Sequence, residues 1–121
     1  MNRIRTTVRH VPGQMNKTEA RYARELALWQ HTGDVQWWAF EALTFKLAHD
    51  TRYTPDFIVV RKNGSVHAVE IKGFWRDDAK AKIKVAATLF PWIEFSALQA
   101  YQGGWKCQAF EPGELPRVVK P

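Results

Sequence analysis

Apolar and polar positions along this chain repeat in two different periods, and the two predict different elements. In NKTEARYARELALWQH, from Asn16 to His31, Tyr22, Leu26 and Trp29 fall on one stripe at helical spacing. Asn16 or Thr18 can cap this helix, and Thr32-Gly33-Asp34 ends it. The next stretch, VQWWAFEALTFKLA, is rich in aromatic and β-branched residues and predicts extended structure. YTPDFIVV and SVHAVEIK then read as two strands around Arg61-Lys62-Asn63-Gly64, a hairpin signal. Asp77 and Asp78 open a second helix, DDAKAKIKVAATLF, with acids at its positive end and Pro91 just beyond it. WIEFSALQ and WKCQAFE predict two further short strands. This order predicts an α/β (α+β) domain, a mixed central β-sheet flanked by two helices.

The hairpin register decides where its polar residues meet. Glu70 and Lys72 are two apart on one strand and share a face. A two-residue Asn63-Gly64 turn would set Asp56 opposite Ile71, on the other face from Glu70. A three-residue loop, Lys62-Asn63-Gly64 with Gly64 left-handed, pairs Arg61 with Ser65. It sets Asp56 directly opposite Glu70, with Cβ atoms about 5 Å apart. Glycine at the third loop position suits the second geometry, and the three-residue loop, or a bulge with the same effect, is the expectation. Phe57, Ile58, Val59, Val60, Val69 and Ile71 make both strands apolar on both faces, the mark of central, buried strands. Two carboxylates in such a place repel unless a cation sits between them. Hard oxygen donors select Mg²⁺ or Mn²⁺. With Lys72 alongside, the set suits metal-assisted hydrolysis of a phosphodiester.

Composition and charge narrow the partners. The chain has 121 residues, 45% apolar and 25% charged, which fits one folded domain. Residues 1–15 read as a basic N-terminal arm and residues 16–121 as a single domain. Eighteen Lys and Arg against twelve Asp and Glu give a net charge of +6. That balance favours polyanions, of which nucleic acid is the commonest. Arg3, Arg5 and Arg9 lie in the arm. Arg76, Lys80, Lys82 and Lys84 follow VEIKGF; Lys80 and Lys84 share a helix face, and Arg76 is the better phosphate contact beside the site. One of these helix lysines is expected to point at the site. No run of about 18 apolar residues predicts a membrane span. The single Cys107, expected in the core, fits a reducing, cytoplasmic compartment. His49 and His67 are expected at the surface. Trp37 and Trp38 are expected on opposite faces of their strand.

Pro55-Asp56 followed by Glu70-Ile71-Lys72, in this order of elements, resembles the PD-(D/E)XK nuclease superfamily, whose members share a restriction-endonuclease-like core. The continuation Gly73-Phe74-Trp75-Arg76-Asp77-Asp78-Ala79-Lys80 is most similar to phage endonuclease I-type Holliday-junction resolvases and to small uncharacterised phage nucleases. The likeness spans about residues 16–96. It implies that Asp56, Glu70 and the Ile71 carbonyl bind Mg²⁺ or Mn²⁺, with Lys72 as the catalytic lysine. It also implies a further helix glutamate: Glu19 matches, and Glu25 is the weaker candidate. Glu19 lies along the buried stripe with Tyr22 and Leu26; its other reading is a first-turn acid that suits the helix dipole. The implied activity is that of a metal-dependent endodeoxyribonuclease, phage-type, acting on branched or duplex DNA, in a homodimer and without a small-molecule cofactor. The competing expectation is a non-catalytic nucleic-acid-binding module on the same fold.

Overall fold

The structure, a computed structural model, describes residues 13–73 and 77–113. The candidate contacts Arg3, Arg5, Arg9 and Arg76 lie outside the described residues. The first helix, α1 (Lys17–Thr32), is set by its ends. The Asn16 side chain accepts from the Glu19 N–H at 2.8 Å, and the Glu19 carboxylate accepts from the Asn16 N–H at 2.9 Å. This reciprocal capping box satisfies two N–H groups that a helix start otherwise leaves unpaired. Gly33, at φ 92°, closes the other end in the left-handed conformation that glycine adopts without strain.

The strands are β1 (Val35–Phe40), β2 (Phe45–Ala48), β3 (Thr51–Tyr53), β4 (Phe57–Arg61), β5 (Val66–Lys72), β6 (Ile93–Tyr101) and β7 (Gly104–Phe110). The second helix, α2 (Asp77–Leu89), links β5 to β6. Five strands form one sheet in the order β1-β4-β5-β6-β7. The β5–β6 pair is parallel and the other pairs are antiparallel, so the sheet is mixed, as expected. The segment expected as one extended run, 35–48, divides between β1 and β2. Strands β2 and β3 form a separate small hairpin.

The β4–β5 loop has three residues. The Arg61 N–H donates to the Ser65 carbonyl at 2.9 Å, and Gly64 has φ 86°. The register Phe57↔Val69 and Ile58↔Ala68 follows, and one step further it sets Asp56 opposite Glu70.

Strand alternation divides the core between the two sheet faces. Ile58, Ala68, Phe95 and Ala97 meet Ile83, Ala86 and Ala87 of α2 and Phe45 and Tyr53 of the small hairpin. Phe57, Val59, Val69, Ile71 and Leu98 meet Tyr22 and Leu26 of α1. Leu26 is 0% exposed, whereas Leu28, two residues on, is 59% exposed. Leu26→Ala is therefore expected to cost about 3 kcal/mol in a denaturant titration. Leu28→Ala is expected to stay within about 0.5 kcal/mol of the parent.

Trp37 is exposed and Trp38 is packed on the core, as alternation requires. Cys107 corrects an expectation. It is exposed, because β7 is an edge strand whose residues 106–109 remain open to solvent. No helix among the described residues is long and apolar enough to cross a membrane.

Candidate active site

The sheet loses its ladder beside Pro55, and the site begins there. By the register of β4 and β5, Pro55 stands opposite Ile71. Proline has no N–H to give the Ile71 carbonyl. The Ile71 N–H instead donates to Asp56 Oδ2 at 2.7 Å. One residue's N–H and C=O leave a strand on the same edge, so the Ile71 carbonyl also faces the Asp56 side.

Glu70 lies across from Asp56 on the face covered by α2 and the small hairpin. Both of its oxygens are held. Tyr53 donates its hydroxyl to Oε1 at 2.8 Å, and Lys72 Nζ is 2.8 Å from Oε2. Glu70 is only 8% exposed. Burial, then the charge of Glu70, pushes the Asp56 carboxyl up to about 8, and Glu19 adds to the rise. The Ile71 N–H and the Lys72 charge oppose it. Burial, then Glu70, holds the Tyr53 hydroxyl far above its ordinary range, so it remains a donor to Glu70.

The donor set suits a hard divalent cation: two carboxylates whose charges repel, with a main-chain carbonyl on the same edge. Among the described residues, no three acidic, histidine or cysteine side chains gather at metal-binding distance. The set that converges is Asp56 and Glu70, with Lys72 paired to Glu70. Glu19 is buried and its charge reaches Asp56, yet its carboxylate serves the capping box. The first-turn reading of Glu19 is thus the one its contacts show. Glu25 is elsewhere, pairing with Arg21 at 3.3 Å and accepting from Trp105 Nε1 at 2.9 Å.

Neither Lys80 nor Lys84 lines the cleft beside Glu70; Lys82 does, with Arg52 and Tyr53. Tyr53 is the residue that sequence reasoning missed. YTPDF reads as one continuous strand, but the strand ends at Tyr53 and resumes at Phe57. The short segment before Pro55 was the available signal, since proline interrupts a central strand. Tyr53→Phe removes one of two partners from a buried carboxylate. It is expected to cost about 1–3 kcal/mol in thermal or denaturant unfolding.

His67 is a second correction. It is half-buried, with Nδ1 2.8 Å from Arg61 and Nε2 2.5 Å from Ser96 Oγ. A guanidinium only donates, so Nδ1 accepts and the ring proton lies on Nε2, facing Ser96. That tautomer cannot take a proton from the serine, so the pair is not a hydrolytic dyad. Burial, then Arg61, lowers the imidazole to about 4. His49 is exposed, as expected.

No family model, no curated protein and no solved structure matches this chain.

Proposed function

We propose that the protein is a metal-dependent endonuclease that hydrolyses phosphodiester bonds in DNA, with branched or junction DNA as its substrate. One observation carries the reading: the β4–β5 register brings Asp56 opposite Glu70 in a buried setting, with Lys72 on the same face. Two buried carboxylates side by side repel, and a divalent cation between them would relieve that repulsion.

Asp56, Glu70 and the Ile71 carbonyl would hold Mg²⁺ or Mn²⁺. When bound, the ion supplies Lewis-acid stabilisation of the charge that develops on the phosphate. Tyr53 fixes Glu70 in orientation through its hydroxyl. Lys72, released from Glu70 by the competing cation, would orient the attacking water or meet the negative phosphate oxygen. Water adds to phosphorus, one P–O ester bond breaks, and the leaving oxygen takes up a proton. The resemblance to phage-type junction resolvases supports the branched substrate and a homodimer, since a four-way junction offers two equivalent strands to cut.

Purified protein is to be incubated with labelled four-way junction, flap, duplex, single-stranded DNA and single-stranded RNA. Each is tested in Mg²⁺, Mn²⁺ or EDTA, with Asp56→Ala alongside. The expected result is cutting that needs the metal, favours the junction and disappears in the variant. Binding without cutting of any substrate would sink the nuclease reading and favour a non-catalytic nucleic-acid-binding module.

A further inference from the structure

The cleft beside Glu70 carries more positive charge than its carboxylates neutralise. It has a volume of about 280 Å³ and is lined by Arg52, Tyr53, Glu70, Lys72 and Lys82, among others. Lys72 is paired with Glu70. Lys82 Nζ donates to the Arg52 main-chain carbonyl at 3.2 Å, which leaves its charge uncompensated. Lys46 stands directly opposite Arg52 in the β2–β3 register, and both are exposed. Like charges facing each other across a hairpin oppose its pairing. Among the described residues, none of Lys46, Arg52 and Lys82 forms an ion pair with a carboxylate. Three cations on the small hairpin and α2, unmatched by acids and bordering a carboxylate site, suit a ligand with several regularly spaced negative charges.

We propose that Arg52 and Lys82, with Lys46 at the rim, bind the phosphodiester backbone of the nucleic-acid strand presented to Lys72. The inference rests on the nuclease reading of Asp56, Glu70 and Lys72 and adds the surface that receives the substrate. It assigns the contact to the small hairpin and to Lys82, in place of Lys80 and Lys84. The hairpin has two tasks in this arrangement. Its Tyr53 holds Glu70, and its Arg52 carbonyl is braced by Lys82 of α2. A backbone bound across hairpin and helix therefore rests on the same unit that fixes the Glu70 carboxylate.

Glutamine tests the charge while retaining a hydrogen-bonding side chain. Lys46→Gln, Arg52→Gln, Lys82→Gln and the triple variant are compared with the parent by fluorescence anisotropy. The probe is labelled four-way junction DNA, with single-stranded DNA and RNA alongside, in EDTA at several salt concentrations. Lys62→Gln, in the β4–β5 loop, is the control. Each single change is expected to weaken binding about fivefold at 0.1 M salt and to lower the salt slope by about 0.7–0.9. The triple variant is expected to bind about a hundredfold more weakly, with the control unchanged. A triple variant that binds within twofold of the parent, with an equal slope, overturns the cleft assignment, and it does so even where the parent cuts normally. A parent that cuts nothing, but whose binding depends on the three cations, supports the cleft and overturns only the cleavage reading. Circular dichroism of the triple variant separates lost charge from lost folding.

Discussion

Lys72→Met is expected to lower single-turnover cleavage by about 10²-fold or more at saturating Mn²⁺, with cation affinity equal to the parent's or tighter. Lys72 Nζ is 2.8 Å from Glu70 Oε2 on a side chain only a quarter exposed, so its charge acts in a partly desolvated place. It donates to the carboxylate and cannot itself ligate a cation while protonated. Under the proposed mechanism, removing it removes a group that would meet the transition state and also removes a competitor for Glu70. Methionine keeps much of the volume and the unbranched chain, so packing beside Glu70 changes little. Single-turnover rates with labelled junction DNA give the first quantity, and calorimetric titration with Mn²⁺ gives the second. A variant that cuts within tenfold of the parent would remove Lys72 from the chemistry. One that loses cutting and cation binding together would make it structural. Lys72→Arg keeps the charge but changes its shape, and is expected to recover only part of the rate.

The site was legible in the sequence where local geometry fixed it. Gly64 at the third position of a three-residue loop determined the register, and the register determined that Asp56 and Glu70 share a face. Apolar residues on both faces of β4 and β5 marked them as interior strands, and β5 is the middle strand of five. Tertiary contacts were less legible. Strand β3 has three residues, too few for an alternation to register, and among the described residues it pairs with β2 alone. Tyr53 reaches Glu70 because that hairpin folds over the sheet, which no short-range pattern encodes. On α2, the stripe Lys82, Val85 and Leu89 is open, and Ile83, Ala86 and Ala87 are the buried positions. Alanines carry little weight in a periodicity, so the buried face was hard to fix, and the lysine that borders the cleft could not be named. Cys107 and His67 were misread for the same kind of reason. Burial at an edge strand, and at a histidine beside Arg61, depends on which elements lie across the sheet.

Asp56→Asn is expected to raise the thermal midpoint of the cation-free protein by about 10 °C at pH 8 and by less than half that at pH 5. The Asp56 carboxyl ordinarily loses its proton near 3.8, and burial with Glu70 beside it raises that to about 8. Between those two values the folded chain holds a proton that the unfolded chain has released. Folding therefore loses stability as pH rises through this window. Asparagine keeps an acceptor for the Ile71 N–H and removes the charge, so the loss disappears. His67 acts in the opposite direction. Its folded value near 4 lies below its ordinary 6.5, so its contribution is lost as pH falls through that interval. It does so in parent and variant alike, and the difference between them isolates Asp56. The cation supplies the decisive comparison. Under the proposed function, Mn²⁺ at pH 8 should raise the parent's midpoint by about 5 °C or more, because it would bind the folded carboxylates and compensate their repulsion. The variant, with one ligand neutralised, should gain far less. Equal shifts in both proteins would mean that Mn²⁺ binds elsewhere, and a difference independent of pH would mean that Asp56 is ionised in the folded protein at every pH tested. A parent that destabilises with pH, recovers with Mn²⁺ and loses both responses in Asp56→Asn would tie the buried charge to a cation rather than to the fold.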